Sequence, residues 1–133
     1  MEVKVETKEV GDRKYTIIKA KIDREVIIFP DPKMLKDMKQ KKISEILGGE
    51  VVVGEMKKDA YQKLIWEYTP KVNGIFEILG EIKKITEKID NYRVRNIIDE
   101  LKVNEMKRAL EKKKRILSEY VEDLRSLLYV RVR

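Results

Sequence analysis

The chain has 133 residues, 42% of them hydrophobic and 41% charged, with 31 Lys and Arg against 24 Asp and Glu for a net charge of +7. The charged share far exceeds the roughly 25% of an ordinary soluble chain, yet the apolar share is enough for a core, so a folded chain rather than wholesale disorder is expected. With no Cys and no His, thiol nucleophiles, disulfides, Cys/His zinc sites and every His-based general base or triad are excluded as well.

The first thirty residues read as strands. In residues 2–9, Val3, Val5 and Thr7 alternate with charged residues, the period of a half-buried strand. Gly11-Asp12 supplies turn residues that tolerate positive φ. Residues 14–22 place Thr16, Ile18, Ala20 and Ile22 on one face and Tyr15 and Ile17 on the other. Asp23-Arg24 then turns into residues 25–29 (EVIIF), an apolar and β-branched run. A three-stranded antiparallel meander is expected, and such a sheet needs a helix on its apolar face. Asp31-Pro32 opens that helix as an N-cap followed by Pro at the first helical position. Its stripe is Leu35, Met38, Ile43, Ile46 and Leu47, and Gly48-Gly49 stops it. Residues 50–55 (EVVVGE) read as a fourth strand. Residues 1–56 are thus expected to form a small α+β module.

Residues 57–133 read as a helical domain. Asp59 and Gln62 make a capping-box pattern that opens a short helix, with Tyr61, Leu64, Ile65 and Tyr68 on its apolar face and Trp66 turned elsewhere. Pro70 and Asn73-Gly74 are expected to break it. From Ile75 onward, Ile78, Ile82, Ile85, Ile89 and Tyr92 recur by threes and fours. After a break near Asp90-Asn91, Val94, Ile97, Ile98 and Leu101 continue in a shifted phase, and Asn104 is expected to cap a last long helix. There Val103, Leu110, Leu117 and Leu124 recur every seven; Met106, Tyr120 and Leu127 hold the other seam position, which Lys113 interrupts. These stretches predict an antiparallel helical hairpin joined near residues 101–104. Residues 129–133 (YVRVR) suit a strand as well as a frayed helix. The expected fold class is α+β: a small N-terminal antiparallel β-sheet with one packed helix, followed by an antiparallel helical hairpin or bundle.

Two seamed helices and a short third are few to close a bundle, so helices from another chain are expected to complete a four-helix arrangement. The partner expected is therefore a second copy or a hetero-oligomer, met through the helical domain. Trp66, Ile82, Ile89, Leu110, Leu117 and Leu124 are the candidate interface. The plain alternative is that the stripe is the chain's own core and Trp66 a core aromatic where module and helices join. Lys39, Lys41 and Lys42, and then Lys107, Arg108, Lys112, Lys113, Lys114 and Arg115, are candidate contacts to DNA. The second cluster wraps around much of its helix, which favours diffuse phosphate contact over a groove-docking recognition helix. Its plain alternative is a solvated surface with Glu105 and Glu111 as intrahelical partners. Arg93, Arg95, Arg125, Arg131 and Arg133 stand out in a Lys-dominated chain as candidate subunit contacts, because guanidinium suits bidentate pairing.

An enzyme would have to rest on Glu50, Glu55 and Asp59 as oxygen ligands of a divalent metal. No DxD or EF-hand spacing surrounds them, and Gly48-Gly49 lacks the Lys-Ser/Thr ending of a phosphate loop. No enzymatic activity, metal or cofactor is expected. Residues 1–8 are charged throughout and no apolar run nears the ~20 residues of a membrane span, so a soluble cytoplasmic protein with no signal peptide and no membrane partner is expected.

Residues 25–47 (EVIIFPDPKMLKDMKQKKISEIL) run a strand through a Pro into a helix, and residues 58–68 (KDAYQKLIWEY) open the helical part. In this order of elements the chain resembles the GINS replication-factor subunits whose small β-rich domain comes first. The resemblance implies a non-catalytic subunit of a tetrameric assembly that bridges the replicative MCM helicase and its partners. The function expected is a non-enzymatic assembly or adaptor subunit beside nucleic acid, in DNA replication of a thermophilic archaeon. The alternative is a small basic protein of a virus or mobile element that dimerises through its helices and binds nucleic acid directly.

Overall fold

A computed structural model describes residues 1–54 and 60–133. The fold is α+β. Strands β1 (Glu2–Val10), β2 (Arg13–Ile22) and β3 (Glu25–Phe29) form an antiparallel meander. Val10 pairs with Arg13 across the first turn and Ile22 with Glu25 across the second. Each turn puts a positive φ at its first residue, 61° at Gly11 and 54° at Asp23. Strand β1 lies at the edge of the sheet, and Val5 is 47% exposed there. The half-buried face expected for Val3, Val5 and Thr7 is therefore mostly in solvent, where the charges beside it discourage further strand pairing. Strand β2 is covered on both faces instead: Ile17 and Ile18 are both fully buried.

The single helix expected after Pro30 is two, α1 (Pro32–Asp37) and α2 (Gln40–Leu47), with Met38 and Lys39 extended between them. Met34 and Ile43 explain the break. Nine residues apart, they would face opposite sides of one continuous helix, whereas here both are fully buried. Asp31 caps α1 with one carboxylate oxygen on the Lys33 amide at 3.0 Å, and its other oxygen accepts from the Thr16 amide of β2 at 2.8 Å. Gly48 ends α2 in the left-handed region, and Gly49 starts β4 (Gly49–Val53). A Cβ on Gly49 would overlap the carbonyl oxygen of Arg131 on β5 (Leu128–Val132). The tail residues thus form a strand, inserted between β3 and β4 and antiparallel to both, which gives the order β1-β2-β3-β5-β4.

Two long helices follow β4 in the chain, α3 (Tyr61–Asn91) and α4 (Ile97–Arg125). Pro70 lies inside α3 and does not end it. Its ring removes the bond to the Trp66 carbonyl, but Leu64, Ile65 and Tyr68 before it and Val72 after it are all buried, and that burial outweighs the lost bond. Asn104 lies inside α4, so the expected joint at residues 101–104 moves to residues 92–96. The capping box expected from Asp59 lies outside the described residues. Among the described residues no helix is long and apolar enough to cross a membrane.

The chain divides into two compact units, Met1–Val72 with Asp123–Arg133, and Asn73–Glu122. In the first, Ile27, Phe29, Met34, Ile43, Leu64, Leu128 and Val130 make the core, and the buried Tyr68 hydroxyl donates to the Pro30 carbonyl at 2.6 Å. The second is the helical hairpin. Gly74 lies beside the Tyr120 ring, Glu81 pairs with Lys113 at 3.0 Å, and Lys88 and Met106 line one hollow. Each step of seven along α3 is a step of seven back along α4, the register of an antiparallel pair.

Candidate functional site

The hairpin turn is built around Asp99. Asn96 Oδ1 accepts from the Asp99 amide at 2.9 Å, capping α4. Asp99 Oδ2 accepts in return from the Arg95 amide at 3.0 Å, and the Tyr92 hydroxyl reaches Oδ1 at 3.3 Å. The turn so fixed holds aliphatic side chains in solvent: Val94 is 54%, Ile97 74%, Ile98 64% and Leu101 58% exposed. Arg93 and Arg95 flank Val94 and are exposed too. The turn thus presents four exposed aliphatic side chains between residues 94 and 101.

The rest of the hairpin seam is open as well. Ile82, Ile85, Ile89, Val103, Met106 and Leu110 are only half-buried, and no residue from 79 to 116 is buried. Leu117 and Leu124, expected at a subunit interface, are 7% and 0% exposed. They belong to the chain's own interior, because the heptad row that carries them is covered towards its end. Ile82, Ile89 and Leu110 are only partly covered. Trp66 is 83% exposed on α3 rather than a core aromatic.

The basic residues of α4 sort by pairing. Lys113 is held by Glu81, and Lys114 by Glu111 at 3.6 Å. Among the described residues Lys107, Arg108, Lys112 and Arg115 have no carboxylate partner. Arg108, Lys112 and Arg115 are spaced i, i+4, i+7 and line one stripe, and Lys107 lies off it. Lys39, Lys41 and Lys42 are exposed in the first unit. Glu50 is exposed on β4, while Glu55 and Asp59 lie outside the described residues. Among the described residues no group of acidic side chains is arranged to hold a metal ion.

A second surface lies in the first unit, where the β2–β3 turn meets the end of α4 and the end of β5. Glu25 Oε2 accepts from Arg125 Nη2 at 2.8 Å and Oε1 from Arg131 Nε at 3.0 Å. Arg131 Nη2 donates to the Tyr129 hydroxyl at 2.9 Å. The two guanidinium carbons lie over the Tyr129 ring, 5.3 and 5.9 Å from its centroid. The hydrogen bond to Glu25, then that to Tyr129, raises the Arg131 pKa. For Arg125, burial works against the charge, but Glu25 and Tyr129 outweigh it and the pKa is raised too. Glu25, Arg125 and Arg131 line an open hollow of about 600 Å³ together with Asp23, Arg24 and Arg133.

Sequence reasoning marks Arg125, Arg131 and Arg133 separately and misses Arg24 and Glu25. The alternation in YVRVR places Arg131 and Arg133 on one strand face, but Glu25 is 100 residues from Arg125, so only the topology brings them together. Comparison with known proteins adds no relative: no family model, no curated protein and no solved structure matches the chain.

Proposed function

We propose that the chain is a cytoplasmic, non-enzymatic assembly or adaptor subunit that acts beside nucleic acid, in DNA replication as its GINS resemblance implies. Its hairpin is completed by helices of another subunit. One observation carries this reading: residues 79–116 hold a long aliphatic seam and not one buried side chain. Full burial of an aliphatic side chain contributes about 1.5–3 kcal/mol, so a partner that covers this seam has a large driving force.

A second copy is the occupant that the chain alone can test. Residues 79–116 carry twelve Lys and Arg against seven Asp and Glu. Two hairpins repel through this excess, and salt screens the repulsion. Light scattering across concentration is expected to show a dimer or larger species that tightens as ionic strength rises. Ile97→Asp with Ile98→Asp is expected to return it to a monomer that retains its helix content. A wild-type monomer at every concentration and ionic strength would overturn the self-association.

The unpaired stripe Arg108, Lys112 and Arg115 favours a second reading, a chain that binds nucleic acid directly. Salt separates the two readings, because phosphate contacts weaken as it rises. Neutralising all three residues is expected to lower the log–log salt slope of duplex binding by about 2–3, at roughly 0.9 per phosphate contact. An unchanged slope removes the stripe from DNA contact.

A further inference from the structure

We propose that the arginine-lined hollow of the first unit is a binding site for a phosphate group. Its lining holds four guanidiniums, Arg24, Arg125, Arg131 and Arg133, against two carboxylates, Asp23 and Glu25. Glu50 stands opposite Arg131 in the β4–β5 register but does not line the hollow. Glu25 is already committed, one oxygen to Arg125 and one to Arg131. Two positive charges in the lining therefore remain without a counter-charge.

The donors are both free and oriented. A guanidinium carries five N–H groups. Arg125 and Arg131 each bond both Glu25 and Tyr129. Each guanidinium thus keeps N–H groups beyond those two bonds. Stacking over Tyr129 and pairing with Glu25 fix both side chains in advance, so a ligand does not have to order them. Among the described residues Arg24 and Arg133 make no ion pair and stand free at the rim. Pairing with Glu25 engages only Arg125 and Arg131, so it does not account for the gathering of four arginines.

The donor set selects phosphate over carboxylate. A carboxylate offers two oxygens and one charge, which a single bidentate arginine satisfies. Several planar forks around one hollow match the larger number of oxygens on a phosphate. The Tyr129 ring is 7% exposed and lies beneath two guanidiniums, so it cannot stack on a base. The contact is therefore to phosphate and independent of base sequence. The phosphate can be a phosphodiester of nucleic acid or a free phosphate ion, and the chemistry of recognition is shared. The site deepens the placement of the chain beside nucleic acid only if the source is the phosphodiester. It uses no residue of the hairpin, so it stands if the hairpin proves monomeric.

The test uses the full chain and the double variant Arg24→Gln with Arg133→Gln, neither of which removes an ion pair. Lys39→Gln with Lys41→Gln takes the same charge from elsewhere in the same unit as a control. The probes are a fluorescent DNA duplex, followed by anisotropy over a range of salt, and inorganic phosphate. Both are also followed by the arginine Nε signals in NMR. Saturable shifts of the Arg125 and Arg131 signals are expected. In the arginine variant, affinity is expected to fall about tenfold and the salt slope by about 2, and in the lysine control by less. Shifts with duplex but not with phosphate ion assign the site to nucleic acid; shifts with the ion but not with duplex assign it to a free phosphate ligand. Unmoved arginine signals with both probes, or an arginine variant that binds as the wild type does, would overturn the proposal.

Discussion

Tyr68 shows how one side chain ties the sheet region to α3. Its hydroxyl is buried and donates to the Pro30 carbonyl just before α1. Burial first, and then the charges of Asp31 and Tyr61, hold its pKa well above the ordinary 10.0. Below pH ~10 the phenol is neutral in both folded and unfolded chains and contributes no pH dependence. Above that pH the unfolded chain loses the proton and the folded chain keeps it, so stability falls as pH rises, by up to about 1.4 kcal/mol per pH unit. Urea titrations are expected to show this alkaline loss. Tyr68→Phe is expected to cost about 1 kcal/mol at neutral pH and to make the loss shallower; an alkaline slope unchanged in that variant places the loss in other groups. Asp23 offers the opposite case. It is the one non-glycine residue with positive φ among the described residues, a conformation that costs an L-residue about 1 kcal/mol. Asp23→Gly is expected to raise stability by about 0.5 kcal/mol, read as a higher Tm, and a lower Tm would show that the Asp23 side chain stabilises the turn.

At the scale of elements, local periodicity was enough to find the meander, both of its turns and the two amphipathic helical stretches. The boundaries that failed are those where one short signal competes with another. Asn96 and Asn104 are both plausible helix caps, yet Asp99 stands three residues after the first and Lys107 three residues after the second. Only the first pair can exchange hydrogen bonds with the backbone, and it is the one that does. Asn96→Ala and Asp99→Ala are accordingly expected to cost about 1 kcal/mol each in thermal unfolding. Asn104→Ala, in the exposed middle of α4, is expected to stabilise by a few tenths of a kcal/mol. Equal losses at residues 96 and 104 would contradict this boundary. Strand β5 was legible as an alternation but not as a position. Its partners β3 and β4 lie far earlier in the chain, and no local pattern says which strands it separates. The meeting of Glu25, Arg125 and Arg131 was hidden for the same reason.

At the scale of the whole molecule, burial is unevenly shared. The first unit holds strands with fully buried side chains, Ile17, Ile18, Ile27 and Val130 among them. In the second, burial is confined to Ile75, Ile78, Leu117 and Val121. Amide exchange reads local opening, which is easiest where few apolar contacts must be broken. Amides of residues 79–116 are therefore expected to exchange much faster than those of β2, β3 and β5 when the chain is dilute. Helix propensity does not protect them, because isolated helices are marginal without a packed face. If another copy covers the seam, exchange in residues 79–116 slows as concentration rises, by mass action, while exchange in the three strands stays constant. High ionic strength strengthens the slowing, since it screens the positive excess of the hairpin. Ile97→Asp with Ile98→Asp abolishes the concentration dependence and leaves the strands untouched. Exchange in residues 79–116 as slow as in β3, and indifferent to concentration, would mean that the hairpin closes its own seam and needs no second chain.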